Sequence, residues 1–135
     1  MTLQVSVAVS NARLDAIETA VGVSPIMRIR SGAPPATNAT ADSGTVLATI
    51  NLPSDWMAAA SARSKSMSGT WEDNAADATG TAGHWRVYDS TGTTCHLQGT
   101  ITATGGGGDM TVDNTSLAAG QQFTITSFAI NDNNG

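Results

Sequence analysis

Residues Gly83–Thr104 read GHWRVYDSTGTTCHLQGTITAT. Two runs rich in aromatic and β-branched residues, Gly83–Asp89 and Thr94–Thr104, flank Ser90-Thr91-Gly92, and so short a connection containing glycine is hairpin chemistry. The same grammar extends in both directions. Upstream, Pro25 opens a strand in which Met27 and Ile29 share one face while Arg28 and Arg30 share the other, and Thr45–Leu52 forms a second run. Further strands are expected at Met67–Glu72, Asp109–Val112 and Gln122–Asn131. The connections are Asp73–Gly80, the Gly105–Gly108 hairpin tip and the Ala118-Ala119-Gly120 turn. About eight strands at roughly ten-residue spacing predict a mainly β chain, a single antiparallel β-sandwich or jelly-roll-like domain.

The N-terminal end reads differently. Leu3, Val5, Val7 and Val9 alternate with small polar residues, predicting a strand. From Ser10, read as an N-cap, Leu14, Ile17 and Val21 recur at helical spacing up to Gly22, which predicts one short helix. This divides the chain into a strand–helix arm over residues 1–22 and a β-sandwich over residues 23–135. Two segments look unable to build a core: the extended loop Ala33–Gly44, with adjacent Pro34 and Pro35, and Met57–Ser66, read as a mobile or weakly helical connection. In the last strand Phe123 and Ile125 fall on one face and Phe128 and Ile130 on the other. Either a bulge near Ser127 gathers them into one core, or both faces are buried.

Composition bounds the function. The chain has 135 residues, and its 40% hydrophobic content includes 21 alanines, which leaves 33 larger apolar side chains. At this length one compact domain is expected. Charged residues make up only 13%, so Thr, Gly, Asn and Ser must cover the surface. Six basic residues against eleven acids give a net charge of −5, and no basic run exists to neutralise a phosphate backbone, so a nucleic-acid partner is not expected. One cysteine, Cys95, forbids an internal disulfide. Neither a membrane span nor a cleavable signal is expected.

Catalytic and metal chemistry find no constellation. Cys95 and His96 are adjacent on a strand and diverge, and hairpin pairing brings His84 near His96 with no obvious further ligand, so no metal site is expected. The acids from Asp73 to Asp77 lack calcium-loop order. Gly105–Gly108 precedes a strand-like acidic segment rather than a phosphate-binding helix. No Gly-x-Ser-x-Gly occurs, and Glu72 beside Trp71 is a weak sugar-site signal. Neither an enzyme nor a cofactor is expected.

Arg28–Leu52 (RIRSGAPPATNATADSGTVLATINL) and the later runs DATGTAGHWRVYDSTGTTCHLQGTIT and GGGGDMTVDNTSLAAGQQFTITSFAI resemble small structural proteins of tailed bacteriophages. The shared features are the Arg-Ser-Gly-x-Pro-Pro opening, the Gly-Thr-x-Leu-Ala-Thr strand, the Ala-Thr-Gly-Thr-Ala before an aromatic strand and the Ser-Leu-Ala-Ala-Gly turn. The resemblance spans most of the chain. It implies a β-sandwich component of the virion, assembled in the host cytoplasm: a capsid decoration (cement) protein that binds the head lattice, or a tail-associated or host-adhesion module. It further implies the major capsid protein or another virion protein as partner, and a homo-oligomer, with a trimer favoured. On that footing the contact residues expected are Leu14, Ile17 and Val21 of the arm, Arg28 and Arg30 against acidic groups, Pro34 and Pro35 of the loop, and Trp56. In the adhesion reading, Trp56, Trp71 or Trp85 would stack on sugars.

Overall fold

A computed structural model describes residues 2–134. It is mainly β with one N-terminal helix. The central hairpin pairs β5 (Gly80–Tyr88) with β6 (Cys95–Ala103), antiparallel, through a turn in which Gly92 adopts φ 73°. Asp89 fixes that turn: its carboxylate accepts from the Thr91 hydroxyl and the Thr93 amide, which hold it down to about 2. On the other side of β5 lies β1 (Ile26–Ser31), then β2 (Val46–Asn51), both antiparallel to their neighbours.

Two short β3 (Ser64–Ser66) and β4 (Trp71–Asp73) strands lie outside this sheet. The chain then adds β7 (Met110–Val112), β8 (Ser116–Leu117), β9 (Phe123–Ile125) and β10 (Ala129–Asn131). The large sheet runs β2-β1-β5-β6-β7 with β8 also on β5, while β10 pairs with β3 and β4 with β9. One expectation fails here. Gly105–Gly108 is not a hairpin tip, because β7 returns parallel to β6, pairing Ile101 with Met110.

Alternation sorts the sheet into two buried faces. Met27, Ile29, Trp85, Val87 and Ile101 enter the apolar core, where a tilted row of rings crosses between sheets: Trp85 to Phe128 at 5.3 Å, Phe128 to Trp71 at 5.7 Å, Trp71 to Trp56 at 6.2 Å. Gly99 is required beneath this row, since a Cβ there would sit 2.7 Å from the Trp85 ring. The register question at the C-terminal end resolves into a break rather than a bulge. The chain leaves β4 after Ile125 and joins β3 at Ala129, so Phe123, Ile125 and Phe128 all enter one core with Ile130 packed against it.

The N-terminal end departs from its pattern. Leu3–Val9 forms no strand, and α1 spans Val7–Val21 with Ser6, not Ser10, as N-cap, its hydroxyl accepting from the Val9 amide. Gly22 at φ 91° ends the helix. Met57–Ser66 is also ordered: it is a β-hairpin closed by reciprocal Ser61–Ser64 bonds, with bridges Met57–Met67 and Ser61–Ser64. Ala62 and Arg63 occupy the two left-handed positions of its turn, at φ 50° and 64°. Asn-Gly is the usual signal for such a turn, and these residues adopt it at a cost of about 1–2 kcal/mol each. Docking against α1 holds them there.

Candidate functional site

Three assemblies of polar or exposed groups stand out. The first fastens the Ala33–Gly44 loop to the second face of the sheet. There β1 and β5 present Arg28, Arg30, His84, Arg86 and Tyr88 rather than apolar side chains. Arg86, buried, donates to the Asp42 carboxylate, to the carbonyls of Asn38 (2.7 Å) and Thr40 (3.2 Å), and through Nε to Cys95 Sγ. Arg30 reaches the second Asp42 oxygen at 3.0 Å, and the Tyr88 hydroxyl donates to the first at 2.6 Å. Gln98 Nε2 donates to Pro35 O at 2.8 Å. Burial alone pushes the Asp42 carboxyl up, but Tyr88 and the two guanidinium groups outweigh it and hold the group below its ordinary value. The loop therefore has a core after all, a polar one. Residues 36–41 stand exposed on top of it as a fixed, uncharged surface.

His84 sits in the same layer, fully buried, with Nδ1 2.8 Å from Gly32 O and Nε2 unpartnered. Facing a carbonyl, Nδ1 carries the proton and donates. Burial lowers its pKa; the Gly32 hydrogen bond opposes this, Arg30 and Arg86 add to the lowering, and Asp42 opposes it slightly. Because the folded value lies below the unfolded value of about 6.5, the unfolded chain binds the extra proton first. Stability is then complete above pH 6.5 and declines as pH falls below it. Melting temperature should drop between pH 7 and pH 5 in the wild type, and the slope should flatten in His84→Asn, which keeps a donor for Gly32 O but cannot titrate. An unchanged slope in that variant would assign the effect elsewhere.

The second assembly ties α1 to the Met57–Ser66 hairpin. Asn11, Asp15 and Glu18 line one helix face: Asn11 Oδ1 accepts from the Arg63 amide, Asp15 Oδ1 from the Ala60 amide and Glu18 Oε2 from the Met57 amide. Lys65, buried, places Nζ 2.7 Å from Asp15, 2.9 Å from Glu18 and 2.9 Å from Ala58 O. Arg63 donates to Ser10 Oγ and to Val5 O.

The third is apolar. Among the described residues the exposed large hydrophobics are Leu3 (76%), Val7 (47%) and Val9 (46%) about the start of α1 and Val23 (68%) beyond its other end.

Against this layout the expected contact residues are placed as follows. Leu14, Val21 and Trp56 are buried within the chain, Ile17 packs at the edge of the core, and Trp56 Nε1 donates to Gly22 O. Arg30 is buried on Asp42, while Arg28 lies 4.6 Å over the Tyr88 ring and donates to Gly92 O. Pro34 and Pro35 are half-buried. His84 lies opposite Thr100, not beside His96, and Glu72 accepts from Gln122. Among the described residues no three His, Cys, Asp or Glu side chains come together, and no helix is long and apolar enough to cross a membrane. Sequence reading missed Arg86, Asp42 and Lys65 as organising residues. The Asn11, Asp15, Glu18 spacing was the available signal for the last. Comparison of the chain with protein-family models, curated proteins and solved structures finds no match.

Proposed function

We propose that this chain is a structural protein of a tailed-bacteriophage particle, a decoration protein that binds the assembled head lattice beside the major capsid protein and stabilises it. The resemblance of its Arg28–Leu52 and later runs to such proteins carries this reading. Two structural features support a binding rather than a catalytic role. Three of the exposed large apolar side chains, Leu3, Val7 and Val9, lie at the start of α1, where a neighbour would cover them. The Ala33–Gly44 loop is held rigid by Arg86, so presenting residues 36–41 to a partner costs little ordering entropy. The glycan-binding alternative loses its stacking groups, because Trp56, Trp71 and Trp85 all lie in the core.

A homo-oligomer on a lattice axis, with three copies favoured, fits a symmetric shell. Reconstruction of the intact particle tests the proposal. Density for this chain is expected on the outer head surface around local symmetry axes, and density confined to the tail would overturn it.

A further inference from the structure

The Ala33–Gly44 loop is fastened to the protein by polar bonds alone, and none of its side chains belongs to the apolar core. Its attachments come from the second face of the sheet: Arg86 on the Asn38 and Thr40 carbonyls, Arg86, Arg30 and Tyr88 on Asp42, and Gln98 on Pro35 O. Its ends lie together, since the Ser31 amide donates to Thr45 O at 3.1 Å and the Thr45 amide to Ser31 Oγ at 2.9 Å. Gly32 and Gly44 stand at this neck with φ 78° and 71°. A segment closed at its base and held by polar bonds can lift without opening the core.

The neck rests on the strand that carries His84. Gly83 has no room for a side chain, because a Cβ there would run into Gly32 O. The next residue, His84, is fully buried and donates through Nδ1 to that same carbonyl at 2.8 Å. Nε2 has no partner, which suits a bare lone pair in the neutral ring and not an N–H. Arg30 faces His84 from β1, Arg86 lies two residues along β5, and Asp42 approaches from the loop. Arg28, further along β1, is turned to Tyr88 and Gly92 O. On the β6 side His84 pairs with Thr100, whose hydroxyl donates to Asp109. Tyr88 and Cys95 enter the layer through Asp42 and Arg86. A proton on Nε2 would add a third cation beside two guanidinium groups that share one carboxylate, and an N–H without an acceptor. Lifting the loop relieves both, because water then reaches the ring.

We propose that His84 is an acid-operated latch: a proton on Nε2 lifts the Ala33–Gly44 loop off the sheet and withdraws the 36–41 surface while the apolar core stays closed. The lifting stands on the layer beneath the loop and not on the virion reading. Release of a partner docked on residues 36–41 would follow from the two together.

The open form binds the proton more tightly than the closed one, so one proton taken up per opening raises the open population by at most about tenfold for each pH unit below about 6.5. Amide exchange between pH 7 and pH 5, each rate divided by the intrinsic rate at that pH, tests this. In the wild type, protection across residues 33–44 should fall by roughly three- to tenfold per unit below pH 6.5, while the β4 and β9 amides around Trp71 and Ile125 keep theirs. His84→Asn should show no such fall, and His96→Gln, which replaces the exposed second histidine, should behave as the wild type does. Should His84→Asn fail to fold, the wild type decides by itself: the ring signals of His84 and the amide signals of Asn38 and Thr40 should titrate with one midpoint. Constant loop protection in the wild type, an equal fall in His84→Asn, a parallel fall around Trp71 and Ile125, or different midpoints for ring and loop overturns the proposal.

Discussion

Arg86→Met is expected to destabilise the domain by roughly 2–3 kcal/mol, since the buried guanidinium satisfies two loop carbonyls and a carboxylate that itself stays partly in water. For a chain of this size that corresponds to a fall in melting temperature of roughly 6–12 °C. Methionine fills most of the volume, so the loss is not a cavity. What disappears is the planar fork that reaches Asp42 and the Asn38 and Thr40 carbonyls together, with Cys95 on Nε. Asp42 keeps Arg30 and Tyr88. The loop carbonyls keep nothing but water. Arg86→Lys should recover little, because a single ammonium cannot span those acceptors.

The damage should also be local before it is global. Amide exchange in residues 33–44 should accelerate by at least tenfold in Arg86→Met while the β4 and β9 amides around Trp71 and Ile125 keep their protection. Uniform loss of protection would show that the loop is part of the main folding unit and not a separate layer fastened to it. If capsid binding resides in residues 36–41, the same variant should lose affinity for empty heads at temperatures where its core is intact.

Those two layers explain which elements were legible. Period-two alternation is a local property, and where one face is apolar it reads directly: Met27 and Ile29, the Val87 face of β5, and the Ser90-Thr91-Gly92 turn all fall where their residues indicate. The opposite face was equally periodic in Arg28, Arg30, His84, Arg86 and Tyr88, but long polar side chains on a strand usually mean solvent. Their partner Asp42 lies 44 residues from Arg86 in the chain, so nothing local marks the face as buried. The candidate contacts Arg30 and Trp56 moved inward for the same reason.

At the N-terminal end local and tertiary signals conflict. Leu3, Val5, Val7 and Val9 alternate as a strand does, yet Ser6 caps a helix that begins at Val7 because Asn11, Asp15 and Glu18 then share one face and meet three amides of the Met57–Ser66 hairpin. Tertiary docking outweighs a short β pattern that has no neighbouring strand to pair with. The same docking orders Ala62 and Arg63 in a turn that their residue types disfavour.

That docking should fail most sharply at Lys65. Lys65→Met keeps the buried volume but removes the cation that bridges Asp15 and Glu18, and about 3 kcal/mol of destabilisation is expected, the low end for a broken buried pair because both carboxylates retain some water. Adding Asp15→Asn and Glu18→Gln should return part of the loss, since neutral amides still accept from Ala60 and Met57 without an uncompensated charge. If the triple variant is no more stable than Lys65→Met alone, the cost belongs to packing and not to charge. The wild type should show the same chemistry against pH. Burial would lower the Lys65 pKa, but the two carboxylates outweigh it and raise the value above 10.5, so its contribution is whole below that pH and is lost as pH rises through the higher folded value. The Lys65 and Ala60 hydrogen bonds hold Asp15 below 3.8, so its contribution is whole above 3.8 and is lost as pH falls through the lower folded value. Melting temperature in Lys65→Met should therefore lose the alkaline limb that the wild type shows above about pH 10.5. Protease cleavage near Gly22 should appear in that variant first, because α1 leaves the hairpin before the β core opens. Resistance at Gly22 equal to the wild type would show that the buried Leu14 and Val21, and not the Lys65 pair, keep the helix in place.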